Sequence, residues 1–206
     1  MEKYYYGAGR IRALEARFAS PIQLERMAAA PDFESAFNVL NETPYAEILP
    51  RLRHPFDFEE MFEIGRAELE KLMQKLAPKD EIIQAIIEEN YPFLFKASSP
   101  LIRKLAHFKI EFEKIRTQLR RGETPKPSIE FNFLDLSQPL HLIEKAMDDY
   151  IIDKFRKAKY VNSGVEPLVG FYLAKKAEIK ALRFILICKQ NYVGTQQIKE
   201  RLRVTY

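Results

Sequence analysis

Residues 166–206 have the sequence EPLVGFYLAKKAEIKALRFILICKQNYVGTQQIKERLRVTY. Apolar residues recur through its first part at helical spacing, and Pro167 lies in the first turn, where its missing N–H costs nothing. The turn Asn191-Tyr192-Val193-Gly194 follows, and Thr195 is predicted to cap a short helix that ends at Arg201-Leu202-Arg203. This stretch therefore predicts one long amphipathic helix, a glycine turn and a short helix, with no catalytic motif.

Start and stop signals divide much of the remaining chain into helices. Ser20-Pro21-Ile22-Gln23 is a capping box with proline at the first helical position, and Asp57 and Ser99 are further predicted N-caps. From Leu101 to Leu119 apolar residues repeat every three or four positions, and Gly122 supplies the stop. The sequence therefore predicts an all-α protein, a multi-helix array.

The prolines suggest three regions along the chain. Residues 123–139 contain three of them and are predicted to be a linker, with an N-terminal helical module or modules at 1–122 and a C-terminal helical module at 140–206. Within the linker, Ile129 to Phe133 alternates as a strand would. An isolated strand has no partner to pair with, so we expect an extended loop.

The composition narrows the class of protein. A chain of 206 residues that is 47% hydrophobic and 30% charged, with only 7 glycines, fits a soluble helical domain. One cysteine, Cys188, cannot form an intrachain disulfide, which indicates a reducing compartment. The first residues lack the pattern of a signal peptide, and no stretch approaches the ~18 apolar residues of a transmembrane helix. We expect any contact with a membrane to be peripheral.

The charge is unevenly distributed along the chain. Residues 1–150 contain 21 Lys and Arg against 25 Asp and Glu, whereas residues 151–206 contain 12 against 4. This asymmetry indicates that the two parts face different surroundings, although lysines that merely solvate two helices would give the same pattern.

Motifs for catalysis, cofactors and metals are missing. The sequence has no Gly-x-x-x-x-Gly-Lys-Ser/Thr loop to hold nucleotide phosphates, so we do not expect ATP hydrolysis or a bound cofactor. Its three histidines, His54, His107 and His141, have no second ligand at metal-binding spacing. We therefore predict a protein that is not an enzyme and has no metal site.

One nine-residue pattern occurs twice, 67 residues apart. It begins with Glu and an apolar residue, continues after any two residues with an apolar residue and Arg, and ends after any two further residues with an apolar residue. It places Glu111 and Arg116 in the first copy and Glu178 and Arg183 in the second. At ~100° per residue, Glu and Arg fall on opposite margins of an apolar stripe, too far apart to pair with each other. We expect each of the four to be structural and bonded to an adjacent helix. The repeat could also be chance, since so loose a pattern is common in helical chains.

Three groups of residues carry a family resemblance. They are Tyr6 to Leu14, Phe37 to Tyr45, and a C-terminal group made of Glu178-Ile179, Arg183, Ile198 to Arg203 and Tyr206. Together they resemble the C subunit, also called the d subunit, of the V-type and A-type rotary ATPases. The resemblance implies pseudo-repeated helical modules, typically three arranged as a funnel. Members of that family are longer, and this sequence has room for about two modules, which predicts a truncated version of the funnel.

The resemblance also implies a function. Such an adaptor sits on the cytoplasmic face of the membrane proteolipid ring and grips the central-stalk subunits, with no chemistry beyond recognition. The basic residues expected to face these partners are Lys154, Arg156, Lys157, Lys159, Lys175, Lys176, Lys199, Arg201 and Arg203. Two alternatives stay open: a helical nucleic-acid-binding module that uses the basic C-terminal third, and an enzyme of unrecognised type, for which no convergent polar cluster is visible.

Overall fold

The chain is helical along most of its length. A computed structural model describes residues 4–161 and 164–203, and for Lys159 it describes the backbone alone. The α-helices are α1 Tyr5–Glu15, α2 Pro21–Ala29, α3 Phe33–Asn38, α4 Phe58–Leu76, α5 Glu81–Ile87, α6 Pro100–Arg120, α7 Leu140–Arg156, α8 Glu166–Gln190 and α9 Thr195–Arg201. Short 3-10 helices lie at Val39–Glu42, Pro44–Glu47, Leu49–Arg51, Tyr91–Lys96, Ile129–Phe131 and Lys157–Tyr160. No strand occurs in the described residues, and the all-α prediction is confirmed.

Side-chain caps begin several of the helices, as the sequence predicts. The Ser20 hydroxyl accepts from the Gln23 N–H and the Gln23 side chain accepts from the Ser20 N–H, which forms the capping box of α2. Asp57 and Ser99 cap α4 and α6 by accepting from the backbone N–H groups of Glu60 and Ile102, respectively. Such a cap stabilises a helix by roughly 0.5–2 kcal/mol. The prediction for Thr195 is wrong, because Gly194 is the N-cap of α9 and Thr195 is its first helical residue.

Helix α8 lies at the centre of the molecule. Its residues Leu168 to Tyr172 are consecutive and all buried, so the helix is covered on most sides near its start rather than amphipathic throughout. It packs against α1, α2, α3, α4 and α7. A Cβ placed on Gly170 would lie 3.3 Å from Ala158 Cβ and 3.4 Å from the Phe155 carbonyl oxygen, so glycine permits the close approach of the α7 end.

Two hydrophobic clusters form the core, and α4 and α8 run through both. The first cluster combines the second half of α4 and the start of α8 with residues of α1, α5, α6 and α7. The second combines the start of α4 and the second half of α8 with α2, α3 and Ile198 of α9. The segment 123–139 contributes buried Phe131 and Leu134 to the first cluster. Both clusters thus join residues from before and after this segment, and the three-region division stays a prediction.

Candidate functional site

Four of the nine predicted partner-binding residues are exposed at the ends of two helices. Lys154 and Lys157 lie at the C-terminal end of α7, and Lys199 and Arg201 lie in the last turn of α9. The Lys154 ammonium is 4.8 Å from the centre of the Tyr150 ring. Cations at helix C-termini are favoured by the helix dipole. Because these side chains are also open to solvent, they can contact an acidic partner.

The other five are placed differently. Arg156 is partly buried, with its guanidinium 4.0 Å from Asp153. The side chain of Lys159 lies outside the described part of the chain, as does Tyr206 of the resemblance. The remaining three, Lys175, Lys176 and Arg203, form ion pairs within the molecule. The nine residues therefore do not make one continuous basic surface.

Lys175 belongs to a buried network rather than to a partner surface. Its ammonium donates to Glu178 at 2.5 Å and to the Arg17 carbonyl at 3.1 Å, and it lies 5.0 Å from the centre of the Tyr45 ring. The prediction that Lys175 faces a partner is corrected here. The cause is the packing at this point of α8, because the Arg17 carbonyl and the Tyr45 ring both lie against the Lys175 ammonium.

Glu178 is the centre of that network and is completely buried. Its carboxylate accepts from the Ala19 backbone N–H at 2.7 Å and from the Tyr45 hydroxyl at 2.8 Å, in addition to Lys175. It thereby joins α8 to the α1–α2 connection and to the 3-10 helix that contains Tyr45. Burial and the adjacent carboxylate raise the pKa of Tyr45 well above its usual value, which keeps the hydroxyl protonated as a donor.

The other members of the repeat make weaker contacts. Arg183 pairs with Glu59 of α4, with 2.8 Å between Arg183 Nη2 and Glu59 Oε1, and both side chains are nearly half exposed. Arg116 pairs with Glu113 of its own helix at 2.5 Å and lies 3.8 Å from Glu144 of α7.

Glu111 differs from the sequence prediction. Its ion pair is with Lys114 at 3.2 Å, in the same helix, rather than with an adjacent one. Side chains three positions apart on a helix are close neighbours, so Lys114 meets Glu111 without any tertiary contact.

A cleft of about 990 Å³ opens between α6, α7 and α8. The residues around it include seven Lys or Arg and four Asp or Glu. Its charged residues are Glu89, Lys109, Glu113, Lys114, Arg116, Arg121, Glu144, Asp148, Lys176, Lys180 and Arg203. Its apolar part includes Phe112, Ile151, Ile152 and Tyr172. Two of the predicted partner-binding residues, Lys176 and Arg203, are therefore in this cleft and not on the outer surface.

Asp148 is the centre of the charged group in the cleft. The ammonium groups of Lys109 and Lys180 each lie 3.7 Å from its carboxylate, and Arg203 Nε lies 2.8 Å from it. At 3.7 Å the two lysines form ion pairs with Asp148 but no hydrogen bond. Arg203 Nε is buried, and its 2.8 Å contact with Asp148 is an ion pair without hydrogen-bond geometry, so this N–H has no hydrogen-bond partner among the described residues.

The cleft changes the pKa of several groups in it. Burial lowers the pKa of Lys109, and Asp148 opposes that effect only in part. The hydrogen bond from Lys176 lowers the pKa of Glu89. Burial raises the pKa of Tyr172 to about 12. The surroundings of Lys109 therefore disfavour its charged form, and a further anion beside the ammonium group would stabilise that form.

Sequence reasoning did not identify Lys109, Asp148 and Lys180 as a group. Lys109 follows Phe108 on α6 and Lys180 follows Ile179 on α8, and each reads as a surface lysine beside an apolar stripe. No local spacing links them to Asp148, which is on α7. Only the packing of three helices brings them together.

The described chain shows neither a metal site nor a membrane span. Among residues 4–161 and 164–203, no group of three or more Asp, Glu, His or Cys side chains could hold a metal ion. None of the helices in that same part of the chain has both the length and the hydropathy needed to cross a lipid bilayer.

Comparison with known proteins gives the family. The model of the ATP synthase (C/AC39) subunit family matches residues 58–201, which is more than half of the chain. The chain belongs to this family. The matched range begins at the start of α4 and ends with α9, so it includes the exposed basic helix ends and every residue around the cleft except Arg203.

A relative from Enterococcus hirae, named as the C subunit of a V-type sodium ATPase, is 38% identical over 64 residues. This match covers 31% of the chain and 20% of the relative, so only about a fifth of that protein is represented in it. No solved structure matches the chain. The family match and this relative together confirm the resemblance to the C subunits of V-type ATPases.

Proposed function

We propose that this protein is a non-catalytic adaptor that connects the central stalk of a rotary ATPase to the proteolipid ring at the cytoplasmic face of the membrane. The observation that carries the proposal is the family match over residues 58–201. A member of a subunit family of such a machine acts by binding the other subunits, and the exposed basic helix ends offer a surface for this. It would support ATP synthesis or hydrolysis coupled to the transport of protons or sodium ions.

The packing suits a part that transmits force. Helices α4 and α8 run through both hydrophobic clusters, so a load applied at one end of either helix acts on the whole core. Protein interiors are close-packed and have low compressibility, and they transmit strain instead of absorbing it. Torque can therefore pass through this molecule by shape and contact alone.

Electrostatics favour an acidic partner surface. Lys154, Lys157, Lys199 and Arg201 are exposed at two helix ends. Contacts of this kind add ~1 kcal/mol per basic residue near an anionic membrane surface, and they accelerate association with an acidic protein. Nucleic acid is the alternative partner for such residues. It has less support, because Lys175, Lys176 and Arg203 pair within the molecule and leave a smaller basic stripe for phosphates.

Parallel capture experiments test the proposal. The purified protein is incubated at about 0.15 M salt with reconstituted central stalk, with liposomes that contain anionic lipids, and with duplex DNA. We expect capture by the stalk, and binding to liposomes would add the peripheral membrane contact. Capture by DNA alone, with a steep dependence on salt, would overturn the adaptor proposal in favour of nucleic-acid binding.

A further inference from the structure

The cleft between α6, α7 and α8 has more positive charge than the molecule itself compensates. Three cations, Lys109, Lys180 and Arg203, surround the single carboxylate of Asp148. Two positive charges are therefore left over at this point. They lie in a concave site, where low-dielectric walls concentrate the field.

The cations also have hydrogen-bond donors to spare. Neither Lys109 nor Lys180 makes a hydrogen bond to the described part of the chain, since each is 3.7 Å from Asp148. Each ammonium group has three donors. The Lys109 side chain is mostly buried, and a buried donor normally finds an acceptor, whereas the Lys180 side chain is half exposed. An acceptor that bridges the two ammonium groups would complete the site.

We infer that this cleft binds a phosphate monoester, a site that does not depend on the proposed adaptor function. A phosphate monoester has a charge of about −1.5 to −2 at pH 7 and three strong acceptor oxygens. Its charge matches the two uncompensated cations, and its oxygens match the free donors of Lys109 and Lys180. A single carboxylate would neutralise only half of that excess.

The rest of the cleft accommodates an organic group on the phosphate. The cleft volume of about 990 Å³ is far larger than a phosphate ion needs and falls in the range of small-molecule sites. Phe112, Ile151, Ile152 and Tyr172 supply an apolar wall next to the charged centre. A phosphorylated small molecule and the headgroup of a phosphate monoester lipid both present a phosphate monoester attached to an organic group.

Calorimetric titration tests the site with three probes: inorganic phosphate, phenyl phosphate, and vesicles that contain phosphatidic acid. We expect saturable binding of phenyl phosphate that is tighter than that of inorganic phosphate, because only the former uses the apolar wall. Binding to vesicles without binding of phenyl phosphate would identify the lipid as the source of the phosphate. Binding of phenyl phosphate without vesicle binding would identify a soluble ligand.

Three variants distinguish a built site from general attraction of anions. The double variant Lys109→Gln/Lys180→Gln should weaken phenyl phosphate binding by at least about tenfold, since two charge-assisted hydrogen bonds are lost. Lys104→Gln is the matched control, because Lys104 is also a lysine of α6 that pairs with a carboxylate, Glu130, but is exposed and does not line the cleft. It should leave the affinity unchanged.

Asp148→Asn gives an independent result if the double variant folds poorly. Loss of the competing carboxylate should strengthen phenyl phosphate binding several-fold, an outcome that a purely structural Asp148 would not produce. Equal weakening by Lys104→Gln, displacement of phenyl phosphate by the same concentration of chloride, or no binding of any probe would overturn the inference. Preferential binding of an oligoglutamate peptide would also overturn it, because the cleft would then recognise an acidic protein segment.

Discussion

At the scale of single residues, Glu178 and Glu111 occupy equivalent positions in a repeated pattern but have opposite environments. Glu178 is fully buried with three donors, whereas Glu111 is partly exposed with one lysine from its own helix. The desolvation of a carboxylate is tolerated only where hydrogen bonds and a counter-charge replace water. The three donors come from separate parts of the chain, and Glu178 therefore helps to hold them together.

We expect Glu178→Ala to destabilise the fold strongly. Loss of one partner from a buried pair typically costs ~3–5 kcal/mol, because Lys175 and the Tyr45 hydroxyl are left without an acceptor. For a chain of this size that is a fall in melting temperature of roughly 6–20 °C by differential scanning calorimetry. The control Glu111→Ala should cost ~0–1 kcal/mol. Equal effects of the two variants would refute the assignment.

Arg183 should behave differently from Glu178, although both belong to the second copy of the pattern. Its pair with Glu59 is nearly half exposed on both sides, so water screens much of the attraction. Arg183→Ala should therefore cost no more than ~1 kcal/mol in a urea unfolding experiment. A loss of ~3 kcal/mol or more would mean that the pair is less hydrated than its exposure indicates.

At the scale of helices, the sequence predicted which helices exist and where they begin better than it predicted which of their faces are buried. Caps such as Ser20 and Asp57 are local signals, because the donor and acceptor are three residues apart. The burial of α8 near its start is not local. Leu168 to Tyr172 are covered by helices that are distant in sequence, so periodicity within α8 could not reveal it.

The candidate site was harder to predict for the same reason. The exposed basic ends of α7 and α9 were visible in the sequence as an excess of Lys and Arg over Asp and Glu in residues 151–206. The inward placement of Lys175 and the grouping of Lys109 with Asp148 depend on which helices pack together. The family resemblance could be detected in the sequence because it rests on the order and spacing of residues along the chain. The family match over residues 58–201 confirms it.

One stability prediction belongs to helix α1. Gly9 lies inside this helix, is exposed, and has no atom near the position that a Cβ would occupy. Gly9→Ala should therefore stabilise the protein by ~0.5–1 kcal/mol, because alanine loses less backbone entropy in a helix. Gly170→Ala is the contrasting variant, since its Cβ would crowd Ala158 and the Phe155 carbonyl. A thermal melt in which both substitutions stabilise equally would contradict this account of α8 packing.

At the scale of the whole molecule, the question is whether the excess charge near the end of α7 is a specific partner surface or only part of the total charge. Charge reversal of Lys154, Lys157 and Lys159 to Glu tests this directly. Lys154 and Lys157 are exposed, and α7 ends beside them, so their replacement leaves the core intact. We expect capture by the central stalk to fall by at least about tenfold, since each lost basic contact removes ~1 kcal/mol or less and each reversal adds repulsion.

The matched control reverses Lys71, Lys75 and Lys79, which are also exposed and lie at and just beyond the end of another helix, α4. Both triple variants change the net charge of the molecule by the same amount, so any effect of the overall field is common to them. Both should also lose a similar favourable interaction with a helix C-terminus. If the adaptor uses the end of α7, only the variant reversed at Lys154, Lys157 and Lys159 loses binding to the central stalk. Its melting temperature stays close to that of the control. Equal loss of stalk binding in both variants would show that the stalk responds to net charge alone. Unchanged stalk binding in both variants would show that the end of α7 is not part of the interface.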